Sequence, residues 1–408
     1  MRILLVNKFI FPKGGAETYT FDVGKMLEEH GHEVQYFGLE NEKNIVGNRV
    51  DSYVTNMDFS QGIKANLNAP FRIIYSREAR KKIRAVLDDF QPDVVHLNNI
   101  QYHLTPSIIL EINKWRKETK KECRIVYTTH DYQLVCPSHG MFDVNMKPCE
   151  RCLDGHYIHC FQTKCLKNSR AKSLLGTLDG YMWKYSKAYS YVDAYICCSF
   201  FLKSKLDTQK RFRDKTIGLH NFKKEMPHLD NIQKKGYVLE FGHLSRDKGT
   251  DTLLEVAKKM PNTEFVFIGY GPSADKMKDI PNVKYLGFKT GEELYRIIAE
   301  AAISVCPSEW YENCPYSVME SVLLGTPVVG SKMGGIPELI EPGETGELFE
   351  AGNVEDLMKA IKKVLQTQDV LERYTKNCSQ VKYETTESYY IKLMKIYRGE
   401  KNAEQISS

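Results

Sequence analysis

The chain has 408 residues, 42% of them hydrophobic and 27% charged, with 11 cysteines and a net charge of +5. That length exceeds what one hydrophobic core usually fills, so two domains are expected, and the steady alternation of apolar and polar runs excludes a low-complexity or disordered chain. No run approaches the ~20 apolar residues of a membrane span, and so modest a charge surplus suggests no nucleic-acid partner.

Residues 1–11 are apolar, but Lys8 interrupts them and no small-residue cleavage site follows, so a buried first strand over 2–7 fits better than a secretory leader. The turn after it holds Gly14-Gly15 ahead of a helix over 18–30, where backbone N–H groups can approach an anion. A mere tight turn would look the same, and the spacing is not that of a dinucleotide fold. A strand over 33–37 follows. Over 77–90, Ala79, Ile83, Val86, Leu87 and Phe90 share one helical face, with Arg77, Arg80, Lys81 and Arg84 on another. Such a helix is an ordinary amphipathic surface element or a basic face for an anionic membrane. Strands are expected over 93–98 and 124–129, the latter ending in His130-Asp131. A strand over 193–198 closes the first series, inside a stretch from 170 to 224 with twelve Lys or Arg against four Asp or Glu.

The polar segment 220–236 separates a second series, with strands over 237–241, 264–268, 283–286, 303–306 and 327–330. Strand–helix alternation implies parallel sheets, hence two α/β domains. Ligands in such sheets bind beyond the carboxyl ends of the strands. In the turn 242–249, His243, Arg246 and Lys248 stand before a helix over 250–259 and suit a diphosphate. After the strand 303–306, Glu312 and Glu320 lie eight positions apart around Asn313, Cys314, Pro315 and Tyr316. Pro315 and Ser317 suit a helix start, placing Glu320 in the first helical turn and Glu312 in the loop before it. One carboxylate could then bridge vicinal hydroxyls while the other stands beside a sugar. A single long helical tail is expected over 354–397, and disorder after Gly399.

The segment 309–353 resembles the donor site of retaining GT-B glycosyltransferases of family four, whose E-x7-E motif is matched by Glu312 and Glu320. The Gly14-Gly15 turn, His130, the basic turn 242–249, Gly269-Tyr270-Gly271 and Gly287-Phe288 fall where that family has its equivalents. The resemblance implies two Rossmann-like domains facing a central cleft: an acceptor-side domain 1–219 with a cysteine-rich insert 136–165, a nucleotide-sugar domain 220–382, and a C-terminal helix 383–408 docking back on the first. It implies that Glu320 binds the ribose hydroxyls, that Glu312 and Asn313 to Tyr316 hold sugar and diphosphate, and that Phe288 meets the base. Catalysis falls to His130 and Glu312, with Gly14 and Gly15 closing on the phosphates and Lys248 binding them. The family's arginine is replaced by His243, a contact that Arg246 could restore.

The implied function is retaining transfer of a sugar from a nucleotide-sugar donor to a sugar or lipid-linked sugar acceptor, in cell-surface polysaccharide biosynthesis. Catalysis is expected to need no cofactor, and the protein is expected in the cytoplasm, either free or peripheral at the inner face of an anionic membrane. The alternatives are an inactive nucleotide- or carbohydrate-binding protein of the same fold, or a phosphorylase or epimerase. Cys149, Cys152, Cys160 and Cys165 in the insert fit a structural zinc site, and equally a set of free buried thiols; a disulfide framework suits the chain less.

Overall fold

The computed structural model describes residues 1–56, 69–224 and 226–400. Most of the tail for which disorder is expected, 401–408, lies outside the described residues. The chain divides into two compact units: Met1–Val144, Cys149–Asn221 and Glu387–Ser408 make the first, and Phe222–Thr386 with Asn145–Pro148 the second.

In the first unit, strands β1 (Arg2–Val6), β2 (Glu33–Phe37), β3 (Val94–Leu97), β4 (Arg124–Thr129), β5 (Ala194–Cys197) and β6 (Thr216–Gly218) form one sheet in the order β2-β1-β3-β4-β5-β6. Every pairing is parallel. Such strands are covered on both faces, which is why Ile3 to Val6 and Val94 to Leu97 are continuous buried runs rather than alternating ones. The crossovers are helical, among them Gly15–Glu29, Arg77–Phe90 and Ser107–Thr119. Helix Arg77–Phe90 is capped by the Ser76 hydroxyl on the Ala79 amide and buries Ala79, Ile83, Val86, Leu87 and Phe90. Its basic face is half neutralised. Arg80 pairs with Glu111 at 2.5 Å and Arg84 with Glu118 at 2.6 Å, whereas Arg77 and Lys81 are exposed and make no ion pair among the described residues.

Instead of one long tail helix there are three, Val354–Val364, Gln368–Cys378 and Thr386–Arg398. The break at Leu365–Thr367 comes from Thr367, whose hydroxyl caps a new helix by accepting from the Val370 amide. The third helix belongs to the first unit. Tyr389 Oη lies 2.7 Å from Tyr19 Oη, and Tyr397 Oη lies 2.6 Å from Nδ1 of the buried His96. The Thr128 hydroxyl links the two contacts, 3.1 Å from Tyr19 and 2.7 Å from His96 Nε2.

The second unit repeats the plan with β7 (Val238–His243), β8 (Phe265–Tyr270), β9 (Val283–Tyr285), β10 (Ile303–Cys306), β11 (Val328–Ser331) and β12 (Gly346–Phe349), in the order β12-β11-β10-β7-β8-β9. The period-2 geometry of a strand sends Val238, Phe265 and Phe267 to one face, against Leu253, Leu357 and Ile361 of the covering helices. Leu239, Val266 and Ile268 go to the other face, against Ile298. Both sheets are those of an α/β protein of two parallel-sheet domains. Among the described residues no helix is long and apolar enough to cross a membrane.

Candidate functional site

The strand order of the second sheet reverses between β7 and its neighbour β10, and a crevice opens where the connections leave such a pair in opposite directions. The loops after these two strands carry Lys248 and Glu312. Lys248 Nζ donates to Glu312 Oε1 at 2.5 Å, and the Ser308 hydroxyl lies 3.3 Å from the same oxygen. Burial acts to lower the Lys248 ammonium, but the Glu312 carboxylate outweighs it and holds the pKa above the usual lysine value. Lys248 also stands 5.6 Å from the centre of the Trp310 ring.

Two glycines make this arrangement possible. Gly249 has φ of 77°, and a Cβ there would come within 1.9 Å of the Pro307 carbonyl; Gly334 has φ of 62°, and its Cβ would come within 1.9 Å of the Glu312 carbonyl. Any side chain would push apart the loops after β7, β10 and β11. The Gly335 amide then donates to Glu312 O at 2.7 Å, and the Ser331 hydroxyl to Ser308 O at 2.6 Å.

Glu320 sits on helix Tyr316–Leu323, as its fifth residue and therefore one turn further in than expected. Pro315 is the N-cap rather than the first helical residue and has no side-chain donor or acceptor to cap with, and Ser317 lies inside the helix with its carbonyl taken by the Ser321 hydroxyl. Glu320 Oε1 accepts from Lys223 Nζ at 2.6 Å. The structure thus brings Lys248 to Glu312 and Lys223 to Glu320, two carboxylates each held by an ammonium. Cys314 is buried with its Sγ 3.8 Å from Met319 Sδ. His243 and Arg246 are exposed. His243 joins a chain of rings, 5.4 Å from Tyr270, itself 5.9 Å from Phe288. Tyr270 is 56% and Phe288 67% exposed, so two large aromatic rings face solvent side by side.

In the first unit, Gly14 is the N-cap of helix Gly15–Glu29, which begins three residues earlier than expected and has no side-chain cap. Its first-turn Glu17 accepts from Asn7 Nδ2 at 3.1 Å. His130 follows β4. Its Nε2 lies 2.9 Å from Asn98 Oδ1, and its ring packs edge-on to Tyr19 at 4.9 Å. Burial pushes this imidazole down to about 4, against the raising influence of Asp131, so it is neutral at pH 7. Asp131 stays ionised despite burial because His139, at 3.4 Å, and the Gln133 amide support its charge. His139 Nε2 meets the Tyr102 hydroxyl at 2.6 Å.

Several features of this region carry no signal in the sequence. Lys223 lay unremarked in the basic stretch ending at residue 224, and Asn98 at the end of a strand. The His139–Tyr102 contact had no local signal. Nor did Glu240, a carboxyl inside β7 that is 4% exposed and accepts from Thr250 Oγ1 at 2.7 Å. All eleven cysteines are free thiols, and among the described residues no group of three or more His, Cys, Asp or Glu side chains stands close enough to hold a metal ion.

Comparison with known proteins agrees with this architecture. Residues 13–221 match the family described as Glycosyltransferase Family 4, and residues 221–381 the one described as Glycosyl transferases group 1. A 42.6 kDa protein of the cps region of Klebsiella pneumoniae is 25% identical over 83% of this chain and 87% of its own. The amylovoran biosynthesis glycosyltransferase AmsK of Erwinia amylovora is 30% identical over 37% of this chain and 41% of its own. Among solved structures, HepE of Anabaena in complex with UDP has a TM-score of 0.67 at 16% identity, over 98% of this chain and 100% of that one. Sucrose-phosphate synthase of Thermosynechococcus elongatus has a TM-score of 0.69 at 16% identity, over 98% of each chain. With both halves matched, the chain belongs to the group 1, family 4 glycosyltransferases, and its two parallel-sheet units have the GT-B fold.

Proposed function

We propose that this glycosyltransferase takes a nucleoside-diphosphate sugar as donor and transfers the sugar with retention of anomeric configuration. The observation that carries the reading is the Lys248–Glu312 contact at the point where the order of the second sheet reverses. A donor diphosphate there would share the Lys248 ammonium, with Arg246 as a second cation at the same turn. Glu312, relieved of part of its ion pair, would accept hydroxyl protons of the sugar. Glu320, one helical turn further on, would bridge the ribose hydroxyls, and Phe288 with Tyr270 would cover the base. The leaving diphosphate would be stabilised by Lys248, by Arg246 and by the N-terminal end of helix Tyr316–Leu323, a set of charges and dipoles that can do this work without a divalent ion. His130, neutral at pH 7, is the catalytic candidate of the first unit.

The crystallised HepE complexes contain UDP, and one of them UDP-glucose, so UDP-glucose is the donor to try first. The cps-region protein and the amylovoran enzyme support an acceptor in cell-surface polysaccharide assembly, a sugar or a lipid-linked sugar. A lipid-linked acceptor would bring the protein to the inner face of an anionic membrane, where the exposed Arg77 and Lys81 would meet it.

Thermal unfolding with UDP-, GDP- and ADP-sugars tests the donor, because a ligand that binds only the folded state raises its apparent stability. Proton NMR of the product of an acceptor panel then reads the anomeric configuration. A protected protein that forms no product would favour a binding role, and an inverted product would remove the retaining mechanism.

A further inference from the structure

The cysteine-rich segment holds a feature that glycosyl transfer leaves unused. Helix Ile158–Thr163 carries Cys160 and ends at Lys164, whose φ of 53° and ψ of 33° turn the backbone left-handed. An L-residue adopts that conformation against the steric resistance of its Cβ, which glycine would avoid. The turn sends the chain back over the last helical carbonyls. The Cys165 amide donates to Cys160 O at 3.2 Å, and the Lys164 amide bonds to the same carbonyl. The result sets the two side chains together, with Cys165 Sγ 2.8 Å from Cys160 Sγ. Their surroundings differ. Cys160 is 1% exposed and packs with Cys152 and Tyr157, while Cys165 is half-buried at the edge of that cluster.

We propose that Cys160 and Cys165 are a dithiol modification site, at which a small-molecule disulfide such as oxidised glutathione installs an intramolecular disulfide. Cys165, the reachable sulfur, attacks the reagent as its thiolate, forming a mixed disulfide and releasing one thiolate. Cys160, giving up its proton to solvent, then attacks Cys165 Sγ and expels the second thiolate. The two protein thiols together lose two electrons and two protons, and the reagent leaves as two thiols. Sulfurs at 2.8 Å need to close by less than about 1 Å to reach the bonded separation of roughly 2.05 Å, so the second step requires little backbone movement. The order of attack follows from exposure: a buried Cys160 resolves, and a half-buried Cys165 begins.

The test treats the full chain with oxidised glutathione, quenches in acid, alkylates the remaining thiols and maps them by peptide mass spectrometry. The expected result is a peptide cross-linked between Cys160 and Cys165 and the loss of two of the 11 alkylatable thiols, restored by a monothiol reductant. Cys160→Ser should trap glutathione on Cys165, and Cys165→Ser should leave Cys160 unmodified. A cooperative thermal transition by circular dichroism, matching that of the wild type, reports whether each variant folds; where one does not, the wild-type map decides. A cross-link between any other pair, independent alkylation of both thiols after full oxidation, or about one equivalent of zinc held until these thiols are alkylated would each overturn the proposal.

Discussion

Glu240 is the sharpest place to set the structure against measurement. It lies in the middle of β7, 4% exposed, with one carboxyl oxygen on the Thr250 hydroxyl and the other, Oε2, buried without a hydrogen-bond partner among the described residues. Burial raises its pKa from 4.5 to about 8, the Asp251 carboxylate pushing the same way and the Thr250 hydroxyl pulling back. Between those values the folded protein holds a proton that the unfolded chain has lost. Stability must therefore fall as pH rises, by about 1.4 kcal/mol per pH unit and on the order of 5 kcal/mol across the whole window.

Glu240→Gln keeps the shape and removes the titration. Its amide nitrogen, left in place of an unpartnered oxygen, costs roughly 1–3 kcal/mol at every pH, a constant offset. Urea unfolding at pH 5, 6, 7 and 8, followed for the transition of the second unit, separates offset from slope. The gap between variant and wild type should move steadily in the variant's favour from pH 5 to pH 8, by about 1.4 kcal/mol per unit. A gap independent of pH would refute the reasoning, because the carboxyl would then titrate alike in both states. Whichever nucleotide sugar protects the wild type should protect the variant equally, since Glu240 lies in the strand before the loop that carries Lys248 rather than within that loop.

The remaining predictions address the reaction, the first unit and the membrane. Lys248→Ala should lower kcat/KM by roughly 10²–10³, the scale of losing one preorganised charge partner, whereas Glu320→Gln should raise KM and weaken free UDP with little change in kcat. Steady-state kinetics with UDP binding by calorimetry distinguishes the two. His130 titrates near 4 when folded and near 6.5 when unfolded, so its contribution makes stability drop as pH falls through that window. His130→Asn should flatten that acid limb in a denaturation series and, if His130 is catalytic, lower kcat at pH 7. Tyr397→Phe leaves Nδ1 of the buried His96 without its hydroxyl partner and should cost about 1–3 kcal/mol in unfolding of the first unit, with UDP protection unchanged. Arg77→Glu with Lys81→Glu should reduce co-sedimentation with anionic vesicles at low salt at least tenfold, given about 1 kcal/mol per basic residue at the surface. Equal sedimentation of wild type with neutral and anionic vesicles would remove the membrane role.

What could be read from the sequence follows from where its chemistry sits relative to a strand end. β4 and β10 match the runs expected from apolar β-branched residues bounded by turn signals, and His130, Lys248 and Glu312 are visible because each follows such a run within a few positions. The three-residue β6 and the glycine-started β12, whose run Gly-Glu-Leu-Phe has no β-branched residue, pass unnoticed. The tail reads as one helix because its apolar spacing continues across 365–367, and only the capping geometry of Thr367 reveals the break. The partner of Glu320 is hidden for a different reason. Lys223 lies 97 residues away, and nothing in a run of basic residues says which one a distant fold will bring to a carboxylate. The Cys160–Cys165 contact is hidden too, because a left-handed turn is normally announced by glycine and here is taken by lysine.

Glu240 and His130 are ionisable groups of opposite charge type, one acidic and one basic. Both have their ionisation shifted by burial, one upward and one downward, by the same penalty on the charged form. His130 could be singled out because a polar residue just past a strand points toward where ligands bind, whatever its pKa. Glu240 could not, because a mid-strand glutamate reads equally well as a residue on a solvated face, and only the packing of helix Thr250–Lys259 over that face, with the Thr250 hydroxyl on the Glu240 carboxyl, takes it out of water. What covers the face therefore decides whether that carboxylate is solvated or desolvated. A glutamate within a strand becomes a candidate for a raised pKa once the face it points to is shown to be covered.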